Sequence, residues 1–418
     1  MRDAKGFILD IEEINHYTLA DLILFEKNLK LHPNYDVIKN NFIIDKERKI
    51  LIHILQIIPA SEVSDLTDEQ ITFYPLCNKS EIERIFNPKN AYDFLLKHRA
   101  EQVIDTMRLR RVFISIMNQD RPNWNFSKHF DTKSFYIYLN TLPTDKQTVC
   151  KTIPCGTIYI KDANGYCMKS PFGNIVVISF ALKRFLYYMN LFYYGEEPEI
   201  PSHDCFEALV IATRIMLGKE SLDFEIDSRG EIPKKTHELI QNYTDWQMLF
   251  IAGHEYAHHY LNHLLDASIG KLSVHTSELN EKSKFYTFSQ QNELDADYAS
   301  VMSPNITDED RSSLANSAFY FFFWLEIYET VEHYFHPPTY KPRTHPLPLN
   351  RVDELRAKLD SKYGVSKEFL DNEKEKIIGY KNELITNILP FETDIFEFTG
   401  SAYLSSSRGA VKIDRIHF

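Results

Sequence analysis

The segment Thr236–Asp266 constrains the fold most. Trp246, Leu249, Phe250, Gly253, Ala257, Leu261 and Leu264 recur at helical spacing and form one stripe on a helix turning 100° per residue. So long a helix with one apolar face has to be covered along its length by other elements. The chain can supply that cover, because 44% of its 418 residues are hydrophobic. Its length suits two or three domains. Gly253 is expected to let a sheet approach the helix closely.

Residues 1–130 read as a mainly helical accessory domain. Leu19, Leu22, Ile23, Phe25 and Leu29 keep helical spacing, as do Ile104, Met107, Leu109, Val112, Phe113 and Ile116. Lys49–Ile58 suits a buried strand or a helix, and periodicity does not separate the two. Gln119–Phe130 is polar, contains a proline and marks a boundary. A β region follows. Phe135–Leu139 alternates like a strand, Thr157–Ile160 and Tyr166–Met168 flank Asn164-Gly165 like a hairpin, and Asn174–Ser179 is a further strand. Helices are expected over Phe180–Tyr194, Phe206–Leu217, Gln290–Met302 and Ala318–Leu325, with a loop at Ser221–Lys235. Beyond residue 360 a charged extension ends in short strands. The expected fold class is α+β, mainly α, with domains at 1–130, 131–360 and 361–418.

Charge and composition remove several functions. Lys and Arg number 47 against 59 Asp and Glu, a net charge of −12, whereas a general nucleic-acid binder needs the opposite sign. A membrane-spanning helix takes about 20 apolar residues. Ile175–Tyr194 is interrupted by Lys183 and Arg184, and Leu314–Leu325 is short and carries Asn316 and Ser317, so no membrane span is expected. Arg2, Asp3, Lys5 and Asp10 leave no apolar core for a signal peptide. Cys77, Cys150, Cys155, Cys167 and Cys205 include no C-x-x-C pair, which points to a reducing, cytoplasmic setting. His203 and Cys205 form an H-x-C pair, for which ordinary packing is the simpler reading.

The chemistry sits on the long helix. His254-Glu255-Tyr256-Ala257-His258 is H-E-x-x-H, which turns two imidazoles to one side, a turn apart, so that both can meet one tetrahedral zinc ion. Glu255 is rotated away from the ligand direction but remains close enough to serve as a base. A third ligand is found by elimination. Leu261 and Leu264 occupy the positions where a metzincin has its glycine and third histidine. His263 is expected on the far side of the helix, and His259 is one step from His258. A carboxylate from the later helix remains. In Asn292-Glu293-Leu294-Asp295-Ala296-Asp297, Glu293 and Asp297 are four apart and share a face. Glu293 ligates in this reading, and Asp297 accepts the second ring N–H of a zinc histidine. Asp295 is the alternative ligand.

His254–His258 followed by Glu293-x-Asp295-Ala296-Asp297 resembles the gluzincin metallopeptidases, in which a Glu completes H-E-x-x-H. Thr344-His345-Pro346 followed by Arg351 is similar to the H-P-x(4)-R segment of the HtpX-like gluzincins, and Asn174–Ser179 is similar to their strand before the zinc helix. The likeness spans roughly residues 170–356. HtpX-like members with membrane roles carry transmembrane helices, unlike this chain, and soluble phage-exclusion (Lit-like) peptidases and, more distantly, ImmA/IrrE-like peptidases are also similar. The resemblance implies a zincin-like domain under a small twisted sheet and a soluble endopeptidase of protein or peptide substrates, with a stress or phage-defence role. It implies that His345 and Arg351 stabilise the oxyanion while Glu255 acts as general base. It also implies that Asn174–Ser179 is a free edge strand beside the cleft, to which substrate adds as an antiparallel strand. A different class stays open at this point: a zinc-stabilised sensing or binding module that hydrolyses nothing.

Overall fold

The computed structural model describes residues 7–14, 18–31, 36, 39–195, 200–265, 267–270, 284–337, 345–398 and 400–407. Asp266, Thr344 and the end of the C-terminal extension, 408–418, lie outside them. Among the described residues the fold is α+β and mainly α, in two compact units: one of residues 7–88 with Leu96–His129, the other of Lys89–Leu95 with residues 130–407. Among these residues no helix is long and apolar enough to cross a membrane.

The first unit opens with a sheet where helices were expected. Strands β1 (Phe7–Ile14), β2 (Phe42–Asp45) and β3 (Ile50–Pro59) form an antiparallel sheet in the order β1-β3-β2. Five isoleucines in β3 favour an extended backbone, and as the central strand β3 is hydrogen-bonded to a neighbour on each side. Helix α1 (Leu19–Leu31) buries Leu22, Phe25 and Leu29 against Leu51, with Phe42 and Ile44 packed alongside. A capping box between Asn78 and Glu81 starts helix α2 (Lys79–Phe86), and the buried Glu81 also accepts a hydrogen bond from Ser127 N at 2.9 Å.

The second unit is built on a sheet of β4 (Cys155–Ile158), β5 (Gly165–Ser170), β6 (Gly173–Ser179), β7 (Ser268–Gly270) and β8 (Lys284–Thr287), ordered β4-β6-β5-β8-β7. The hairpin is β5–β6. Ser170 pairs with Gly173 around Pro171-Phe172, and Gly173 has φ +126°, a conformation that L side chains rarely adopt. The Asn164-Gly165 signal is therefore not a hairpin turn. Asn164 O accepts from Ser179 N at 2.9 Å, and β4 runs parallel to β6. Phe135–Leu139 is helical, within α3 (Lys133–Thr141), because Phe135, Tyr138 and Leu139 face the core while Tyr136 and Ile137 face solvent.

The central place of β6 corrects the free-edge expectation. Ile175, Val176, Val177 and Ile178 are fully buried, and β4 and β5 occupy both edges, so no substrate strand can add to Asn174–Ser179. One sheet face packs Ile158, Tyr166, Met168, Ile175 and Val177 against Phe94 and Leu95.

Helix α4 (Phe180–Tyr194) leads to α5 (Ser202–Met216), and the long helix is α6 (Lys234–Tyr260). Asn190 ties α4 to α6 by donating to Gln247 Oε1 at 2.8 Å and Thr244 Oγ1 at 3.1 Å. It also accepts from Trp324 Nε1 of α8 (Asp308–Phe335) at 3.1 Å. Gly253 serves close packing against a helix rather than the expected sheet, since a Cβ there would lie 2.3 Å from Tyr138 Cε2 on α3. The remaining helices used below are α7 (Gln290–Met302) and α9 (Pro348–Lys358).

The segment after residue 360 is also helical, over Lys367–Glu383, and among the described residues no strand follows it. Residues 395–405 are held by buried ions of the same unit. Arg214 donates to the carbonyls of Ile395 (3.0 Å), Phe398 (2.8 Å) and Gly400 (2.6 Å). Glu220 accepts from Arg214 Nε at 3.0 Å, Arg229 Nε at 2.8 Å and Ala402 N at 3.2 Å.

Candidate metal centre

Two helices bring the ligand atoms together. His254 and His258 lie in the last turns of α6. Ser289 caps α7 by accepting from Asn292 N at 3.1 Å, which puts Glu293 in the first turn and Asp297 one turn on. The helices meet through Ala257, Ala296 and Ala299, whose small side chains permit the close approach. His254 Nε2 lies 3.1 Å from His258 Nε2 and 3.4 Å from Glu293 Oε2, and His258 Nε2 lies 3.6 Å from Glu293 Oε1. All three side chains are buried, and they are the one group of three potential metal ligands found among the described residues. His203 instead faces Glu207 at 3.6 Å, and Cys205 is buried. Asp295 is 45% exposed on its side chain and pairs with Lys358 at 3.1 Å, away from the cluster.

Support comes from behind. Asp297 Oδ1 meets His254 Nδ1 at 2.8 Å, leaving Nε2 to face the cluster. Arg351, on α9, grips Asp297 with a fork: Nε to Oδ2 at 2.8 Å and Nη2 to Oδ1 at 2.6 Å. Its guanidinium also lies over Phe322, 4.4 Å from the ring centre. Arg351 thus pairs with Asp297 behind His254, and its Nη2 also lies 3.8 Å from Glu293 Oε2. His345 Nδ1 lies 3.0 Å from Glu293 Oε2 with its side chain 49% exposed, so His345 is the group of the cluster that borders solvent.

The electrostatics favour a cation. Burial opposes charge on His254, but Asp297 and Glu293 override it and raise its pKa to about 10. Burial likewise opposes charge on Glu293, yet His345 and His254 hold it well below the usual carboxylate range. His258 is pushed the other way, first by burial and then by His254. Glu293 Oε2 is buried and meets no hydrogen-bond geometry, with His254 Nε2 at 3.4 Å and His345 Nδ1 at 3.0 Å from it. Two ring nitrogens facing one another beside an unsatisfied carboxylate oxygen fit a divalent cation with nitrogen and oxygen ligands.

Three neighbours escaped the sequence reading. His263 does not face away: α6 stops at Tyr260, Asn262 takes φ +60°, and His263 Nδ1 comes within 3.0 Å of His258 Nδ1. Phe288 stacks on His258 with ring centres 3.6 Å apart. Cys167 contacts Glu255 from β5. An early helix stop was the one available signal for His263, and the apolar Leu261 and Leu264 masked it. The chain matches no protein family, no curated protein and no solved structure.

Proposed function

We propose that this protein is a zinc-dependent endopeptidase of gluzincin type, with a zincin-like second unit, acting on protein or peptide substrates in the cytoplasm. The observation that carries the reading is the convergence of His254, His258 and Glu293 beside a buried carboxylate, Glu255, that does not join them. The five buried cysteines form no disulfide, which is consistent with a reducing compartment.

Zinc, when bound, supplies a Lewis acid that polarises a carbonyl and makes a water acidic enough to lose a proton near neutral pH. Glu255 is suited to take that proton. Burial, and then repulsion from Glu293 against the pull of His254, leaves its pKa at about 7, matched to proton exchange at neutral pH. It holds the proton on a carboxylate oxygen and passes it to the leaving nitrogen. His345 is suited to donate to the carbonyl oxygen as negative charge develops there. Asp297, steadied by Arg351, keeps the His254 ring in one tautomer and one orientation.

His254→Ala, His258→Ala and Glu293→Ala each lose most of the zinc found in the purified protein by elemental analysis. Full occupancy in Glu293→Ala together with an empty site in Asp295→Ala would reassign the third ligand. Asp297→Asn keeps the ligands but loses the carboxylate charge and turns one of the two acceptor oxygens shared by His254 and Arg351 into a donor, so zinc affinity or activity falls ~10–100-fold. Unchanged affinity and activity in Asp297→Asn would remove it from the site.

A further inference from the structure

Strand β5 packs against Glu255. Side chains two apart on a strand share a face, so Gly165 and Cys167 point the same way, while Tyr166 and Met168 enter the core cluster behind the sheet. Both β5 positions touch Glu255. A Cβ on Gly165 would lie 2.7 Å from Glu255 Oε1 and 3.1 Å from Ile251 Cγ2, so only a glycine leaves that oxygen its place. Cys167 Sγ lies 3.5 Å from Glu255 Oε2, 3.4 Å from Glu255 O and 3.5 Å from His259 Nε2. The thiol is fully enclosed, and burial first, then the Glu255 charge, pushes its pKa well up, so the sulfur keeps its proton.

We propose that Cys167 and Gly165 are positioning residues for Glu255, the thiol donating to Oε2 while the bare glycine makes room for Oε1. The proposal rests on the hydrolase reading above for what the position serves. A carboxylate on a flexible side chain has to be held toward its proton if it is to act within hydrogen-bond reach. An S–H donor is weak and uncharged, so it fixes direction without turning the carboxylate into a permanent ion pair. A simple packing role for a small buried cysteine gives the same burial but makes no demand on the thiol proton.

The test has a kinetic arm and a spectroscopic arm. With fluorescein-labelled casein as probe, Cys167→Ala lowers kcat about threefold, the equivalent of one weak hydrogen bond, with KM and zinc content unchanged. Cys167→Ser, which keeps a donor, recovers part of the loss. Gly165→Ala displaces the carboxylate and lowers kcat more, again with zinc retained. In metal-free protein, the infrared difference between wild type and Cys167→Ala isolates the S–H stretch of this thiol. That band moves to higher frequency in Glu255→Leu and stays in place in His259→Leu. The opposite pattern gives the thiol's proton to His259 and overturns the proposal, as does wild-type kcat in Cys167→Ala. If zinc-loaded wild type cleaves no casein, the proposed function bears that failure, and the infrared arm alone decides whether the thiol holds Glu255.

Discussion

Glu255→Gln keeps zinc at the wild-type level and loses turnover by ~10²–10⁴-fold, the range for removing a positioned acid–base group. Glutamine preserves size and shape but cannot accept the proton. Glu255 is not among the three groups that converge, so occupancy is expected to survive. The measurements are elemental analysis of the purified variant and hydrolysis of labelled casein. Retained zinc with undiminished hydrolysis would end the general-base assignment. Retained zinc, no hydrolysis by either protein and a full cellular effect from the variant would favour a zinc-stabilised binding module. Loss of zinc would make Glu255 part of the metal's own support.

Glu220→Ala destabilises the second unit by about 3–5 kcal/mol, the usual cost of breaking a buried ion cluster from one side. Arg214 and Arg229 are both fully buried, and Glu220 is the carboxylate between them. Removing it takes from the buried Arg214 the carboxylate it pairs with, while Arg229 keeps Asp223 at 2.6 Å and Asp227 at 3.3 Å. Glu220→Gln retains an acceptor and sits between wild type and alanine. Equilibrium denaturation gives the free energies, and limited proteolysis shows whether residues 395–405 detach first. A loss under about 1 kcal/mol in Glu220→Ala would mean that apolar packing, rather than the ions, holds this segment.

The candidate site was legible wherever its geometry is internal to one helix. His254 and His258, like Glu293 and Asp297, are four apart, and 100° per residue places each pair on one face without knowledge of anything else. That the two pairs face one another is a tertiary fact, inferred by elimination. Extrapolating helical phase beyond Tyr260 failed, because the chain turns through Asn262 and carries His263 back to His258. Sheet order was less legible than helix placement. The Asn164-Gly165 dipeptide is a strong local turn signal, yet its partner is Ser179, and the real hairpin uses Pro171-Phe172. The N-terminal sheet was missed because β1 carries charges that hide its alternation and pairs with residues 37 to 52 positions later, beyond any local window. Cys167 carried no signal, since its contact with Glu255 depends on which strand lies over which turn of α6.

The three carbonyls gathered by Arg214 belong to residues made 181 to 186 positions after it. A chain emerging in order from the ribosome therefore exposes Arg214, Glu220 and Arg229 long before Ile395–Ala402 exist to complete their shell. Until then the charges stay hydrated, and the end of α5 cannot close into the core at the cost given above for an incomplete ion cluster. Synthesis interrupted before residue 395 leaves His254, His258 and Glu293 present in a unit whose buried ions still lack these carbonyl partners. The second unit therefore matures late, with its last-made segment setting the moment at which the whole of it becomes native.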